Sequence, residues 1–427
     1  MKTAILTAAP TTPHADSPRL HVAIVDEELP YPPTSGKRIR TLNLVIRLAE
    51  RHRLTYLCHR NADVDEARQA AKFFADHGIE TVVVERAVPP RSGLGFYARL
   101  AANLLSPLPY SVASHDSPEL RDAIADYAAA HAVDLWHCEW TPYADSLRGL
   151  HGARRLIMAH NVESLIWQRY GETETNPIKR WYIREQWRKF KHFEKRATGE
   201  AHQTVAVSDA DASLLRNEFG ARRVAVVENG VDTAFFQPAE SVREAYRILF
   251  LGSLDWRPNL DAVARLQDRI FPAVCAAEPA ARLEIVGRNP PSWLRRRAAE
   301  SPGVDLHADV ADVRPHLARC GVMAVPLRIG GGSRLKILEA LACGLPVVST
   351  AIGAEGLHLE PGRHLTVVPG VDEMAEALVH AIRAPQEVQG MAKRGRERVL
   401  ERYDWDTLAD QLERIWINCV GSNGAET

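Results

Sequence analysis

The stretch Gly330-Gly331-Gly332-Ser333-Arg334-Leu335-Lys336-Ile337-Leu338-Glu339 places three glycines, two cations and an acid within ten residues. Glycine has no side chain and tolerates positive φ, so the backbone there can approach a ligand closely. Ser333 is suited to cap a helix. The helix start then offers free N–H groups and the positive end of its dipole, which suits a phosphate. Arg334 and Lys336 fall in the first turn, where a cation opposes the dipole, so their placement is easier to explain if an anion binds there. Glu339 shares a helical face with Lys336, and its carboxylate could accept hydrogen bonds from sugar hydroxyls. The alternative is a solvated helix start with an internal Lys–Glu pair.

Other segments put capable residues where apolar runs end. Met158-Ala159-His160-Asn161 closes one such run, and a histidine there can donate or accept near neutral pH, although a lone histidine is also a common structural residue. Gly36 lies in the loop Tyr31–Arg40 behind the first apolar run. Glu355 stands between Gly353 and Gly356, whose flexibility permits a close turn, so it either touches a ligand or belongs to that turn. Asn229-Gly230 reads as a turn, and Ser208 as an N-cap. Three triplets, Asp63-Val64-Asp65, Asp209-Ala210-Asp211 and Asp404-Trp405-Asp406, have the form that binds a metal–diphosphate. Each falls at a helix start or in a charged helical stretch, where caps and dipole-matched acids account for it. No catalytic metal is expected.

The elements that must position these residues alternate. Apolar runs at 21–25, 54–58, 81–84, 135–138, 156–159, 204–207 and 224–227 read as buried strands separated by helical patterns. A second series follows at 248–251, 281–286, 304–307, 322–325 and 346–349. Unbroken apolar strands alternating with helices predict parallel sheets covered on both faces. The polar, Pro-broken segment Phe236–Glu244 reads as the linker. Ligands of such sheets bind beyond the carboxyl ends of the strands. The stretch Ile178–Arg196 is basic and aromatic at helical spacing, so it either packs on its own domain or lies on an anionic membrane.

At 427 residues the chain is too long for one core, and two or three domains are expected. A formal net charge of −1 supplies no basic field to attract nucleic acid. The six cysteines are scattered, with no C-x-x-C spacing, which disfavours a zinc site or a disulfide framework and favours a reducing, cytoplasmic setting. Pro10, Pro13, His14 and Asp16 interrupt any apolar signal core, and residues 1–18 read as a disordered extension. No run approaches the roughly 18 apolar residues of a membrane span.

The run Glu339-Ala340-Leu341-Ala342-Cys343-Gly344-Leu345-Pro346-Val347-Val348 resembles the donor-binding region of glycosyltransferase family 4, retaining enzymes of the GT-B fold. The loop before it resembles a branch with Gly-Gly-Gly-Ser/Thr-Arg-x-Lys ahead of the glutamate. His160 with Asn161, Val207-Ser208-Asp209, Asn229-Gly230-Val231-Asp232 and the Gly36 loop are similar to further family segments, so the likeness runs from about residue 21 to about residue 410. It implies an α/β protein of two doubly wound Rossmann-like domains facing across a cleft. Residues 19–238 would form the acceptor side and 239–402 the nucleotide-sugar domain, with 403–427 a helix crossing back. It implies a metal-independent hexosyltransferase that takes a nucleotide-diphosphate sugar as co-substrate, needs no other cofactor and retains configuration. The acceptor would be a saccharide or lipid-linked saccharide in polysaccharide biosynthesis at the inner face of the membrane. Carried over residue by residue, His160, Lys336 and Arg334 would be catalytic, with His160 on a sugar hydroxyl or the leaving phosphate. Gly36, Gly331, Gly332, Ser333, Glu339 and Glu355 would bind the donor.

Two departures stand out. Gly331 occupies the position of the family's first acid. Ser253 and Pro258-Asn259 stand where the family has phosphate-binding Arg and Lys-Gly, which leaves Arg334 and Lys336 as replacements and Arg257 as a third candidate. These losses keep open a catalytically weak nucleotide-sugar-binding protein. A dinucleotide-dependent oxidoreductase is disfavoured, because no G-x-G-x-x-G follows the first strand.

Overall fold

The computed structural model describes residues 18–86, 92–329 and 335–421. Gly331, Gly332, Ser333 and Arg334 lie outside that set, as do residues 1–17 of the anticipated extension. The chain forms two compact units, residues 18–228 with 408–421, and 229–329 with 335–407.

The first unit is built on seven parallel strands: β1 (His21–Asp26), β2 (Arg53–His59), β3 (Glu80–Val84), β4 (Leu135–Cys138), β5 (Arg155–Ala159), β6 (Gln203–Ala206) and β7 (Val224–Val226). Their order is β3-β2-β1-β4-β5-β6-β7. Central strands such as β1 and β4 are buried at every position, as a sheet covered on both faces requires. The order reverses between β1 and β4, and such a switch point opens a crevice at the strands' carboxyl ends. Helix Gly36–Ala49 follows β1, capped by Ser35, whose side chain accepts from Arg38 N–H. It buries Leu42, Val45, Ile46 and Leu48.

The basic, aromatic segment forms one helix, Pro177–Glu200, capped by Asn176. Ile183, Phe190, Phe193 and Ala197 bury its inner face, with Phe190 stacked on Trp167 at 6.1 Å. Helix Trp405–Gly421 contributes its residues from Leu408 onward to this unit. There Arg51 reaches Asp410 and Glu413, each at 2.6 Å.

The second unit carries β8 (Glu244–Leu251), β9 (Arg282–Gly287), β10 (Val304–Ala308), β11 (Cys320–Val325), β12 (Val347–Thr350) and β13 (Thr366–Val368). All are parallel, in the order β10-β9-β8-β11-β12-β13. The three-residue β13 escaped the sequence reading because a short edge strand carries too few positions to show a pattern. The units part at Glu228/Asn229 and Thr407/Leu408, not in the Phe236–Glu244 segment or at residue 402. The reason lies in packing: Val231 N–H donates to Tyr403 O at 2.8 Å, Thr233 bonds Asp404 at 2.7 Å, and Phe235 and Phe236 sit in the second core.

Helix Leu335–Ala342 ends ahead of a glycine. Gly344 takes φ 67°. Its N–H bonds Leu341 O while Leu345 N–H bonds Ala340 O, both at 2.8 Å, which is the paired closure of a Schellman motif. Pro346 and β12 follow at once.

Candidate active site

The candidate residues lie at or just beyond strand carboxyl ends in both units. In the second unit, β8 runs into Gly252-Ser253. A Cβ at Gly252 would stand 2.9 Å from Lys336 Nζ and 2.8 Å from Asn259 Nδ2, so a side chain there would displace both groups. Lys336 Nζ donates to Asn259 Oδ1 at 2.9 Å and lies 5.1 Å from the Phe250 ring centroid. Asn259 Nδ2 in turn donates to Ser253 O at 2.8 Å. The lysine is thus aimed by a side chain from another helix, while its charge still acts on Glu339. A tight wall closes the β11–β12 side, where a Cβ at Gly353 would collide with Ser349 Oγ at 2.3 Å and Val325 O at 2.9 Å.

The Glu339 carboxylate has no hydrogen-bond donor among the described residues. Burial pushes its carboxyl up to about 7, with Lys336 pulling the other way. A largely buried acid without donors is costly, and such groups concentrate at binding sites. Hydroxyl groups of a bound sugar would supply what it lacks. Glu355 lies just past the short helix Ala351–Ala354 that follows β12, exposed at the same edge.

Arg288 was missed by the sequence reading. It follows Gly287 at the end of β9, and its Nη2 donates to Ser253 Oγ at 3.1 Å. Ser253 and Asn259, the positions lacking the expected phosphate cations, therefore each hold a cation supplied from another element: Arg288 on one, Lys336 on the other. The available signal was a lone arginine directly after the strand-ending glycine. Arg257 is exposed on the neighbouring helix start.

In the first unit, Gly36 begins its helix beside Lys37, whose Nζ binds Asp26 Oδ1 at 2.5 Å and lies 3.7 Å from Glu27. His160 follows β5 and is almost wholly buried, and its Nε2 lies 3.0 Å from Glu139 Oε1. Glu139 follows β4 and also accepts from Thr41 Oγ1 at 2.8 Å. Burial lowers the His160 pKa, with Glu139 opposing and Arg40 and Lys37 assisting, so the ring is neutral. Burial alone would raise Glu139, but its contacts with His137 and His160 outweigh that and hold it well below the ordinary carboxylate range.

The acidic triplets behave as caps: Asp63 accepts from Glu66 N–H, Ser208 from Asp211 N–H, and Asp404 from Asp406 N–H at 2.9 Å. A separate group, Glu284, His307 and His316, brings three potential metal-ligating atoms within 4.8 Å of one another. Arg319 lies 2.6 Å and Arg247 3.3 Å from Glu284 Oε2. Burial opposes ionisation, but His316 and Arg319 hold the carboxyl down at about 2. The acid is already compensated by two guanidinium groups, so the group reads as an ion-pair network across β9, β10 and helix Arg314–Arg319.

Two doubly wound parallel sheets with such residues at their carboxyl ends define an α/β protein of the GT-B class. A model described as "Glycosyltransferase Family 4" matches residues 34–235, and one described as "Glycosyl transferases group 1" matches 245–384. The chain thus carries a match to each of these two glycosyltransferase domains, one in either half. It is similar to an MMP alpha-(1->4)-mannosyltransferase of Mycolicibacterium hassiacum, 27% identical over 57% of this chain and 59% of that one. It is also similar to a GDP-mannose-dependent monoacylated alpha-(1-6)-phosphatidylinositol monomannoside mannosyltransferase of Corynebacterium glutamicum, 31% identical over 44% and 54%. The chain thus spans a little over half the length of these relatives. Among solved structures, sucrose-phosphate synthase from Thermosynechococcus elongatus matches with a TM-score of 0.71 at 18% identity, over 93% of this chain and 98% of that one. HepE of Anabaena, in complex with UDP and glucose, matches at 0.64 and 15% identity, over 93% and 99%.

Proposed function

We propose that this protein transfers a hexosyl group from a nucleotide-diphosphate sugar to a saccharide or lipid-linked acceptor, with retention of configuration. The observation that carries the reading is Glu339, a desolvated acid whose carboxylate meets no donor among the described residues, one turn from a lysine held in place by Asn259. In this reading the ribose hydroxyls donate to Glu339, while Lys336, Arg288 and the start of helix Leu335–Ala342 face the diphosphate. Charge builds on the departing phosphate as the glycosidic bond breaks, and fixed cations stabilise that charge more than they stabilise the ground state. Arg334, Ser333, Gly331 and Gly332 would complete the phosphate cradle, and Glu355 would reach the sugar. His160 would hold a hydroxyl of the transferred sugar. No metal or further cofactor is required in this scheme.

The relative named as GDP-mannose-dependent makes GDP-mannose the first donor to test. A thermal-shift panel of GDP-, UDP- and ADP-sugars against NAD, followed by a transfer assay with the donor that binds, tests the reading. Stabilisation by one nucleotide sugar together with product formation supports it. Stabilisation by NAD alone, or no response to any nucleotide sugar, refutes it. No helix among the described residues is long and apolar enough to cross a membrane. Helix Pro177–Glu200 nevertheless exposes Ile178 (77%) and Trp181 (53%) beside Lys179, Arg180 and Arg184. That mixture suits peripheral contact with an anionic cytoplasmic leaflet presenting a lipid-linked acceptor.

A further inference from the structure

His160 does not stand alone. Glu139 faces three groups with protons to give. Thr41 Oγ1 donates to Oε1 at 2.8 Å, His160 Nε2 lies 3.0 Å from the same oxygen, and His137 Nε2 lies 2.9 Å from Oε2. Behind them, Trp416 Nε1 donates to His137 Nδ1 at 3.1 Å. An indole N–H can only donate, so His137 Nδ1 must be an acceptor and the neutral ring carries its proton on Nε2, which lies 2.9 Å from Glu139 Oε2 without the alignment of a full hydrogen bond. His160 meets the other oxygen of the same carboxylate, which can only accept. Its proton is therefore also on Nε2.

We propose that Glu139 is a positioning residue that fixes the tautomer of His160, leaving Nδ1 as a hydrogen-bond acceptor reserved for a hydroxyl group of the sugar substrate. This rests on the reading of His160 as a substrate-contacting residue. It also narrows that reading: a neutral ring whose only N–H is tied to Glu139 has nothing to donate to a phosphate, so the partner is a hydroxyl and not the leaving diphosphate. The charged and titratable groups around the ring are Glu139, Lys37 and Arg40, with His137 beyond the carboxylate.

The asymmetry of the network makes the proposal testable. In Glu139→Gln, one side of the amide must be oxygen and the other NH2. Thr41 can turn its hydroxyl and His160 can move its proton, but Trp416 prevents His137 from becoming an acceptor at Nε2. The amide oxygen therefore turns to His137 and the NH2 to His160, which transfers the His160 proton to Nδ1. In Glu139→Gln/Trp416→Phe that lock is gone, His137 can carry its proton on Nδ1, and the amide can turn its oxygen back to His160.

The experiment is 15N NMR of the imidazole rings in the full-length protein, with His160 assigned by His160→Ala, alongside steady-state kinetics. The expected result is an Nε2–H His160 in the wild type and an Nδ1–H ring in Glu139→Gln. The wrong tautomer should lower kcat by at least about tenfold. The Trp416→Phe second change should restore both tautomer and rate. An Nδ1–H ring in the wild type, which the NMR reads even if a variant fails to fold, overturns the proposal. So does a folded Glu139→Gln with wild-type kcat, or one whose rate falls while its tautomer stays as in the wild type. Full activity in His160→Ala would instead sink the reading of His160 on which the proposal stands, and the two failures are thus told apart.

Discussion

Donor binding should weaken as the pH falls from 8 to 6, and Glu339 should be the cause. Its carboxyl is raised to about 7 by burial, and only the ionised form can accept from two hydroxyls. If binding requires the carboxylate, the apparent Kd is the intrinsic one divided by the ionised fraction. That fraction is about 0.9 at pH 8, about 0.5 at pH 7 and about 0.1 at pH 6, which gives roughly a tenfold loss of affinity, or about 1.4 kcal/mol, across the range. Proton release follows from the same sign. Hydroxyl donors stabilise the carboxylate and pull its pKa down, so at pH 7 binding should expel about half a proton. The assay is isothermal titration calorimetry in buffers of different ionisation enthalpy. The ligand should be the intact nucleotide sugar, because a free nucleoside diphosphate has a terminal phosphate that titrates near pH 6. In Glu339→Gln the pH dependence should vanish and affinity should fall by roughly 10- to 100-fold, the scale of losing hydrogen bonds to a charged group. The ligand-free variant should melt higher at pH 8. A raised carboxyl pKa costs the folded state stability as pH climbs from the ordinary value of 4.5 towards about 7, and glutamine removes that cost. A flat affinity profile in the wild type, or proton uptake on binding, would refute the reasoning.

Three further outcomes are expected. Lys336→Ala should raise donor KM or lower kcat by more than about tenfold, since a half-buried, pre-aimed charge is lost beside the phosphate; unchanged kinetics would remove Lys336 from the site. Arg288→Ala should weaken nucleotide-sugar binding about five- to tenfold while leaving the bare nucleoside unaffected, on the scale of one partly exposed charge-assisted hydrogen bond. Equal loss for nucleoside and nucleotide sugar would assign Arg288 a merely structural role. Transfer should persist in excess EDTA, and its collapse on chelation with recovery on adding a divalent cation would overturn the metal-free scheme.

Covalent neighbours and their periodicity were enough to mark out much of this protein. The apolar runs, the glycine stop at Gly344 and the caps at Ser35, Asp63 and Ser208 are local facts, each dictated by residues within one or two turns. The places of His160 and Glu339 in the fold were legible for the same reason: one follows a strand and the other lies on a helix ahead of a glycine. What the chain alone could not reveal is which distant group meets them. Lys336 is aimed by Asn259, 77 residues away. Arg288 fills the place beside Ser253, 35 residues away. Glu139 holds His160 across 21 residues, and Trp416 reaches His137 across 279. Parallel sheets bring strand ends together through long crossovers, so the partners of a functional residue are set by strand order and not by spacing. The pKa of Glu339 and the tautomer of His160 follow from burial and from those partners, and both exist only once the tertiary structure has formed.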